Sequence, residues 1–466
     1  MAKKVSKRKK RKFIKFLFSL IIIAIILLIA YYFKREMPDS SSASNELSSS
    51  EVLSSNDIPS EDLSSIDDSN SIQETPSDSH EHVENVIYDN FQIHFLELGV
   101  YNTGDSTYIK AGDTDILIDA GATMASTSTL INYIDNYCTD GVLEYVITTH
   151  SHTDHYAGMF GSKKSSKNFK GESVERTGLM YYYDIETIID FSQTTQSATA
   201  TNYMNYKNAV EYAKIQGAVR YSAEQCFNET DGAKRQYVID EENNITMDIL
   251  YNKYYFEKSS DENDHSVCTM FNYNGHHFML TGDLEKEGEE AMAAYYDKST
   301  PEKTLPHVDL FKAGHHGSPT SSNDCLLSLI TPDICCVCCC AGSSEYTTNN
   351  DNTFPSQDFI DRIATYTDKV YVTSVLDNNE SRKQGEQIFK SLNGNIIVSC
   401  NGKNTSVKCS NNDTILKDSE WFNEEIYVKV SSKGVNQICS GNKKPDYYIE
   451  SDEGVTKITR RIWPNS

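Results

Sequence analysis

The chain has 466 residues, with 43 lysines and arginines against 67 aspartates and glutamates, and a formal net charge of −24. This length is enough for two or three domains if all of it folds. Residues 1–36 hold 11 of the basic residues and one acid, Glu36, so the rest carries 32 bases against 66 acids. Proteins that coat nucleic acid usually show a basic surface. The composition therefore excludes that class, but it leaves open an enzyme with a small metal-lined cleft.

Residues 1–36 are predicted to form a membrane anchor. A basic block runs from Lys3 to Lys15, and the 18 residues from Phe16 to Phe33 carry no charge. An uncharged run of this length can just span a bilayer as a helix, and the positive charge before it places the N-terminus in the cytoplasm. A cleaved signal peptide is the alternative, but no small-residue cleavage site follows the run. We therefore expect a single-pass protein of the cytoplasmic membrane whose catalytic domain is extracellular.

Residues 37–85 are predicted to be a disordered linker. Positions 37–80 hold 16 serines, many acids and no lysine or arginine. Such a segment buries too little apolar surface to offset the entropy that ordering would cost. The folded part is then expected to comprise a main domain at 86–410 and a small β-rich extension at 411–466.

The main domain begins with a series of strands. Apolar alternation predicts strands at Phe91–Leu98, Ser106–Lys110, Asp115–Ile118 and Glu144–Thr149, because side chains on a strand face opposite sides in turn. The last of these strands runs directly into the polar segment 150–155. In α/β folds, polar residues at the carboxyl end of a strand commonly build a site.

The segment 150–155 is predicted to bind metal ions. His150 and His152 are two positions apart on an extended segment, so both side chains leave on the same side and can share one cation. The chain then turns, which lets Asp154 and His155 face a second position. Imidazole and carboxylate ligands suit zinc, or manganese where oxygen ligands are plentiful. A coincidental polar loop is the alternative, but three of the chain's 12 histidines within six positions argue against it.

Three motifs together resemble the metallo-β-lactamase superfamily, and within it the ComEC-type competence proteins and their secreted relatives, including phosphorylcholine esterase-like enzymes. His150–His155 has the H-x-H-x-D-H pattern, Phe278–Asp283 is a strand that runs into an aspartate, and Asp309–Ser318 contains His-His-Gly-Ser. The resemblance covers about residues 91–400. It implies the α/β class and an αββα metallo-β-lactamase sandwich at 86–410, preceded by the transmembrane helix and followed by the β-rich C-terminal extension.

The resemblance also implies a ligand set for two divalent metal ions, with zinc expected and manganese as the alternative. His150 and His152 would bind the first ion. Asp154 and His155 would bind the second, and Asp283 would bridge the two.

The remaining site residues are open to more than one interpretation. Of the histidine doublet, His315 is the expected metal ligand because it comes first after its strand, and His316 is then a supporting group or a proton donor. His265 is the best-placed candidate for the superfamily's third histidine, with an ordinary exposed loop histidine as the alternative. The expected catalytic residues are Asp154, Asp283 and His316.

These roles predict a hydrolase. Two cations about 3.5–4 Å apart would lower the pKa of a water held between them toward about 7 and would polarise a phosphoryl oxygen. The expected substrates are cell-wall or small phosphodiesters. One alternative is an extracellular nuclease for DNA scavenging or uptake, although residues 91–466 carry 32 bases against 53 acids, which disfavours nucleic acid. The other alternative is a non-catalytic surface binding protein of the same fold.

Three further segments carry structural predictions. Residues 202–216 are expected to form an amphipathic helix. Cys335–Cys340 is predicted to be a fully buried strand, because consecutive strand residues face opposite sides and these thiols cannot all reach one ion. Cys400 and Cys409 flank a turn signal, and a disulfide across that hairpin is the expectation there.

Overall fold

The computed structural model describes residues 90–343, 353–377, 388–423, 426–431, 434–438, 447–451, 454–459 and 461–464. All of these belong to one compact unit, residues 83–466. Within this part of the chain, no helix combines the length and the apolar character needed to cross a bilayer. The predicted anchor at 1–36 and the predicted linker at 37–85 lie outside the described residues.

The strands follow one another closely along the chain. In chain order they are β1 Phe91–Phe95, β2 Thr107–Ala111, β3 Thr114–Ile118, β4 Val142–Thr148, β5 Ser166–Lys167, β6 Ser173–Val174, β7 Asp184–Asp190, β8 Val219–Ser222, β9 Gln236–Asp240, β10 Ile245–Ile249, β11 Thr269–Tyr273, β12 His276–Leu280, β13 Leu310–Lys312, β14 Ile334–Ala341, β15 Val370–Leu376, β16 Phe389–Ser391, β17 Ile396–Cys400, β18 Thr405–Cys409, β19 Ile426–Ser431, β20 Gly434–Ile438, β21 Tyr447–Ser451 and β22 Gly454–Thr459.

Helices occupy many of the connections between these strands. In chain order the α-helices of the described part are α1 Ser126–Ile134, α2 Thr153–Phe160, α3 Leu179–Tyr182, α4 Thr201–Ile215, α5 Ala223–Asn228, α6 Lys286–Tyr295, α7 Asp324–Ile330, α8 Gln357–Ile363 and α9 Glu420–Asn423. The predicted helix at 202–216 is confirmed by α4, within one residue at each end.

Two eight-stranded sheets form the centre of the molecule. The first has the order β18-β17-β1-β2-β3-β4-β7-β8, and the second has the order β16-β15-β14-β13-β12-β11-β10-β9. In the first sheet β3, β4 and β7 run parallel. In the second, β12, β13, β14 and β15 do so. Each sheet therefore collects the carboxyl ends of several strands at one edge.

The sheets pack face to face around an apolar core. The ring of Phe91 in the first sheet lies 4.9 Å from that of Phe278 and 5.9 Å from that of Phe271 in the second. Leu130 and Tyr206, from α1 and α4, belong to the same buried cluster. Helices α6, α7 and α8 contribute to a second apolar cluster with the second sheet. This mixed α/β sandwich agrees with the architecture that the motifs predicted.

Strand β14 is buried along its whole length, as the sequence predicted. Cys336 and Cys338 belong to the core between the sheets, whereas Cys335 and Cys339 belong to the second cluster. None of these four thiols forms a disulfide bond. The alternation of strand side chains therefore keeps the cysteines from converging on one ion.

The predicted disulfide between Cys400 and Cys409 is wrong. The register of β17 and β18 pairs Cys400 with Thr405 and Cys409 with Ile396. Neither thiol forms a disulfide bond, and both are buried. Because the two cysteines lie at opposite ends of the hairpin, a bond between them would require a different strand pairing.

The C-terminal residues contain the β-structure that the sequence indicated. Strands β19 to β22 form a four-stranded antiparallel sheet in the order β20-β19-β22-β21. On either side of it, Trp421 and Trp463 are buried in the second apolar cluster. The Gln357 amide also donates to the carbonyl of Ile462 at 2.6 Å. The extension is thus joined to the main domain at both of its ends, and the apolar contacts of the main domain continue past residue 410.

Candidate metal centre

The polar residues predicted for the site meet where strands of the two sheets end. The segment 150–155 follows β4, and His152 is the N-cap of α2. Asp283 lies just after β12, and the histidine doublet lies just after β13. Because parallel strands present their carboxyl ends at one sheet edge, the three motifs are brought together there.

Four side chains form the centre of the site. Asp154, His155, Asp283 and His316 offer ligand atoms that all lie within 4.8 Å of one another. The Asp283 Oδ2 atom is 3.0 Å from the His155 Nε2 and 3.2 Å from the His316 Nε2. The Asp154 Oδ2 is 3.3 Å from the His316 Nε2. We call these four residues the four-donor group.

His150 and His152 adjoin the four-donor group, as expected. The His150 Nε2 lies 3.0 Å from the His152 Nδ1, so two imidazole nitrogens face each other at ligand spacing. The same His150 nitrogen is 4.0 Å from the Asp283 Oδ2. The carboxylate of Asp283 therefore lies between the histidine pair and the imidazoles of His155 and His316, in the position that a bridging ligand would need.

The structure places the two histidines of the doublet differently from the expectation. His316 contributes its Nε2 to the four-donor group, whereas the His315 Nδ1 lies 3.0 Å from the Glu285 Oε1 at the edge of the site. His316, and not His315, thus occupies the position that was expected of the ligand. Both residues have a positive φ, 43° and 56°, in a 3₁₀ turn over Gly314–Gly317. This left-handed turn reverses the chain, so order after the strand does not decide which ring points inward.

His265 lies outside the four-donor group. Its ring is buried, its Nε2 accepts a hydrogen bond from the Ser259 amide at 3.2 Å, and its Nδ1 lies 3.8 Å from the Glu262 carboxylate. The prediction that it is a ligand therefore finds no support, and neither does the alternative of an exposed loop histidine. Its neighbour Ser266 faces the site instead, because the Ser266 Oγ accepts from the Asp283 amide at 3.0 Å.

A layer of buried polar residues supports the ligands, and the sequence reasoning assigned none of them a role. Asp119 accepts from the His155 Nδ1 at 2.8 Å, and the Thr149 hydroxyl and amide donate to Asp119 at 2.7 and 2.8 Å. Because the Nδ1 of His155 carries the proton, its Nε2 is free to act as a ligand. The main-chain carbonyl of Cys338 accepts from the His316 Nδ1 at 2.9 Å and fixes the same tautomer there.

Asp105 and Lys312 complete this layer. Both side chains are almost wholly buried, and they form a close ion pair. Burial lowers the pKa of Lys312, but the carboxylates of Asp105 and Asp283 raise it above its ordinary value. The ammonium group therefore stays charged. The sequence contained a sign of both residues. Lys312 is a charged residue within an apolar strand, and Asp105 directly precedes the strand predicted at Ser106–Lys110.

The ligands strongly perturb one another's pKa values. Burial lowers the pKa of His155, but the carboxylates of Asp283 and Asp119 raise it well above its ordinary value. Burial also lowers the pKa of His316, and the carboxylate of Asp283 again raises it well above its ordinary value. Burial raises the pKa of Asp283, but the two imidazoles lower it well below its ordinary value. The metal-free site therefore retains protons on both imidazoles, and a bound cation would displace them.

The donor set fits a divalent cation. The Asp283 Oδ1 is buried without a hydrogen-bond partner, which is costly unless another group satisfies it. Two imidazole nitrogens with two carboxylates are ligands that zinc accepts, and manganese accepts the oxygens as readily. The described residues around Asp283 can thus hold one cation in the four-donor group. They can present a neighbouring position at His150 and His152.

Comparisons with known proteins agree with this geometry. Residues 101–177 match the model of the metallo-beta-lactamase superfamily. The chain is 30% identical over 114 residues to Recombination protein 2 of Haemophilus influenzae, and this match covers 24% of the chain and 12% of that protein. The chain thus spans about an eighth of the length of this curated relative.

Two solved structures share part of the fold at low identity. The metallo-beta-lactamase fold protein YhfI from Bacillus subtilis is 12% identical, with a TM-score of 0.33, over 61% of this chain and 96% of that one. Human tRNase Z, short form, is 13% identical, with a TM-score of 0.30, over 53% and 91% of the two chains. Both likenesses are weak. The family model, the Recombination protein 2 match and the motifs at the site together support the relationship of this chain to the metallo-β-lactamase superfamily and to its ComEC-type members.

Proposed function

We propose that this chain is a metal-dependent hydrolase that cleaves phosphodiesters. The observation that carries the proposal is the four-donor group, a buried set of two imidazoles and two carboxylates. A second cation would be held by His150 and His152 and would share the carboxylate of Asp283. Paired cations that clamp the attacking and leaving oxygens are a common solution for phosphodiester hydrolysis. Zinc is the proposed metal, with manganese as the alternative.

The residues of the site have distinct tasks in this reaction. Bound divalent cations would polarise the phosphoryl oxygen of the substrate and would lower the pKa of the attacking water. Asp119 and the Cys338 carbonyl keep the Nδ1 protons of His155 and His316 in place, so that both Nε2 atoms face Asp283. The sandwich excludes bulk water from behind the ligands, since the imidazoles of the four-donor group are fully buried.

His315 takes the role of proton donor that the sequence had assigned to His316. Its side chain is 17% exposed at the edge of the site, and Glu285 accepts from its Nδ1 at 3.0 Å. The carboxylate orients the ring. A histidine held in this way is suited to protonate the oxygen of the leaving group as the phosphodiester bond breaks.

The substrate is proposed to lie outside the cell. The basic block and the uncharged run within residues 1–36 support an extracellular domain held by a single membrane helix. The acidic excess of residues 91–466 supports cell-wall or small phosphodiesters over long nucleic acid, because a strongly negative protein repels a polyanion.

An extracellular nuclease is the second candidate. The match to Recombination protein 2 favours it. The two candidates differ in the size and the charge of the substrate, so a comparison of substrates separates them.

The test uses the full chain purified in detergent, stripped of metal and reloaded with Zn²⁺ or with Mn²⁺. The substrates are bis-p-nitrophenyl phosphate, p-nitrophenyl phosphorylcholine, single-stranded DNA and the β-lactam nitrocefin. We expect metal-dependent cleavage of the two small phosphodiesters. Cleavage of DNA alone would favour the nuclease, and cleavage of nitrocefin alone would refute both phosphodiesterase proposals. A metal-loaded chain that cleaves none of the four would support a binding protein.

A further inference from the structure

Lys312 is a buried cation behind the metal ligands. It is the last residue of β13, and it is 2% exposed. Its ammonium group pairs with the Asp105 carboxylate and donates to the carbonyls of Ala313 at 3.0 Å and Gly282 at 3.4 Å. It also lies 4.0 Å from the Asp283 Oδ1. A charge at such a buried position is costly unless it is paired and hydrogen-bonded, and here it is both.

Asp105 connects this cation to the imidazole ligands. Its Oδ1 lies 3.1 Å from the His316 Nδ1, and its Oδ2 lies 3.9 Å from the His155 Nδ1. Its main chain is held as well, because the Asp105 amide donates to the Asp154 carbonyl at 3.2 Å. Asp105 therefore contacts both imidazoles of the four-donor group on the side away from their Nε2 atoms.

The two oxygens of Asp283 have different surroundings. The Oδ2 faces the imidazoles of His155 and His316 at 3.0 and 3.2 Å. The Oδ1 is buried without a hydrogen bond and faces Lys312. Attraction to the ammonium group therefore favours the rotation of the carboxylate in which one oxygen faces Lys312 and the other faces the two imidazoles.

We propose that Asp105 and Lys312 form a positioning ion pair that orients Asp283 and His316 for metal binding. Lys312 turns the carboxylate of Asp283, and Asp105 holds the ring of His316 with its Nε2 toward the centre. The inference rests on the proposed metal binding, but not on the identity of the substrate. Residues that orient metal ligands commonly contribute about 10–100-fold to metal affinity.

A purely electrostatic role would have the opposite sign. A fixed positive charge near a cation site repels the cation, so removal of Lys312 would then tighten metal binding. A positioning role predicts weaker binding. The sign of the change in affinity therefore separates the two explanations.

The experiment measures Zn²⁺ and Mn²⁺ affinity of the full chain in detergent by competition with a chromophoric chelator, and stoichiometry by mass spectrometry of the bound metal. The variants are Lys312→Met, Asp105→Asn and the double variant. The matched control is Lys110→Met, which removes a lysine that pairs with Asp115 at 2.8 Å within the first sheet. Thermal unfolding of the metal-free forms is recorded alongside.

We expect each single variant to bind metal about 10–100-fold more weakly, and the control to match the unaltered chain. The double variant should bind about as weakly as the weaker single variant, because both residues act through one ion pair. If a single variant fails to fold, the double variant decides, since it leaves no unpaired buried charge. Unchanged or tighter binding in Lys312→Met, or unaltered affinity in the double variant, would overturn the inference.

The same measurements separate this inference from the proposed function. An unaltered chain that binds neither metal would refute both. An unaltered chain that binds metal tightly but cleaves no phosphodiester would refute the proposed function alone, and the variants would still decide whether Asp105 and Lys312 position the ligands.

Discussion

Substitution of Asp283 by alanine is the most demanding test of the metal centre. Its Oδ2 lies 3.0 and 3.2 Å from two imidazole nitrogens of the four-donor group and 4.0 Å from the His150 Nε2. This carboxylate is therefore placed to serve both cation positions. A histidine change, by contrast, removes a ligand from one position.

The magnitude follows from this shared placement. Loss of a residue that merely supports a ligand costs about 10–100-fold in metal affinity, so loss of a direct ligand should cost at least about 100-fold for each cation. At about 1.4 kcal/mol per tenfold, this is about 3 kcal/mol per cation. If both cations are weakened independently, the doubly loaded fraction at limiting metal falls about 10⁴-fold.

The assay compares bound metal with the rate of bis-p-nitrophenyl phosphate hydrolysis at fixed, limiting Zn²⁺. Asp309→Asn is the matched control, because Asp309 is a partly buried aspartate that pairs with His276 at 2.6 Å just before β13. We expect Asp283→Ala to lose more metal and more rate than His150→Ala or His152→Ala. An Asp283→Ala chain that retains two metal equivalents and a near-normal rate would refute the shared-ligand reasoning.

Three further predictions follow from the site and from the sequence. His316→Ala should lose a metal equivalent, whereas His315→Ala should keep its metal and lose about 10²–10⁴-fold in rate, as expected for a proton donor; equal metal loss in both would contradict the assignment. The metal-free chain should become less stable as the pH rises above about 6.5. In the folded chain the pKa values of His155 and His316 are raised, so protonation of these imidazoles stabilises the fold fully at a pH below their pKa in the unfolded chain. This stabilisation is lost as the pH rises through their pKa in the folded chain. A midpoint of thermal unfolding, measured with chelator, that rises over this range would contradict the prediction. Protease added to intact cells should remove the domain that follows residue 36, and its protection would reverse the proposed topology.

Local sequence patterns predicted much of the sandwich. The strands expected at 91–98, 106–110 and 115–118 correspond to β1, β2 and β3, and the fully buried cysteine strand is β14. These predictions hold because alternation and burial are properties of adjacent residues. The disulfide prediction was wrong for a related reason: a turn signal locates a hairpin, but the register of its strands decides which side chains meet.

The candidate metal ligands divide in the same way. The spacing within 150–155 was sufficient to place His150, His152, Asp154 and His155 together, because all four lie on one strand end and the first turn of one helix. The choice between His315 and His316 depended on a left-handed turn that no pattern announced. The position of His265 depended on Ser259 and Glu262, which hold its ring outside the four-donor group.

The sequence thus predicted the main strands and the segment that contributes His150, His152, Asp154 and His155 to the candidate site. All of these depend on residue type and short spacing. Only the tertiary structure decided which side chains complete the site. Asp105 and Lys312 stand 207 positions apart, and they meet because the loop before β2 in one sheet and the end of β13 in the other come together at the same edge of the sandwich. Contacts of this kind arise from the packing of two sheets, and short-range spacing contains no information about them.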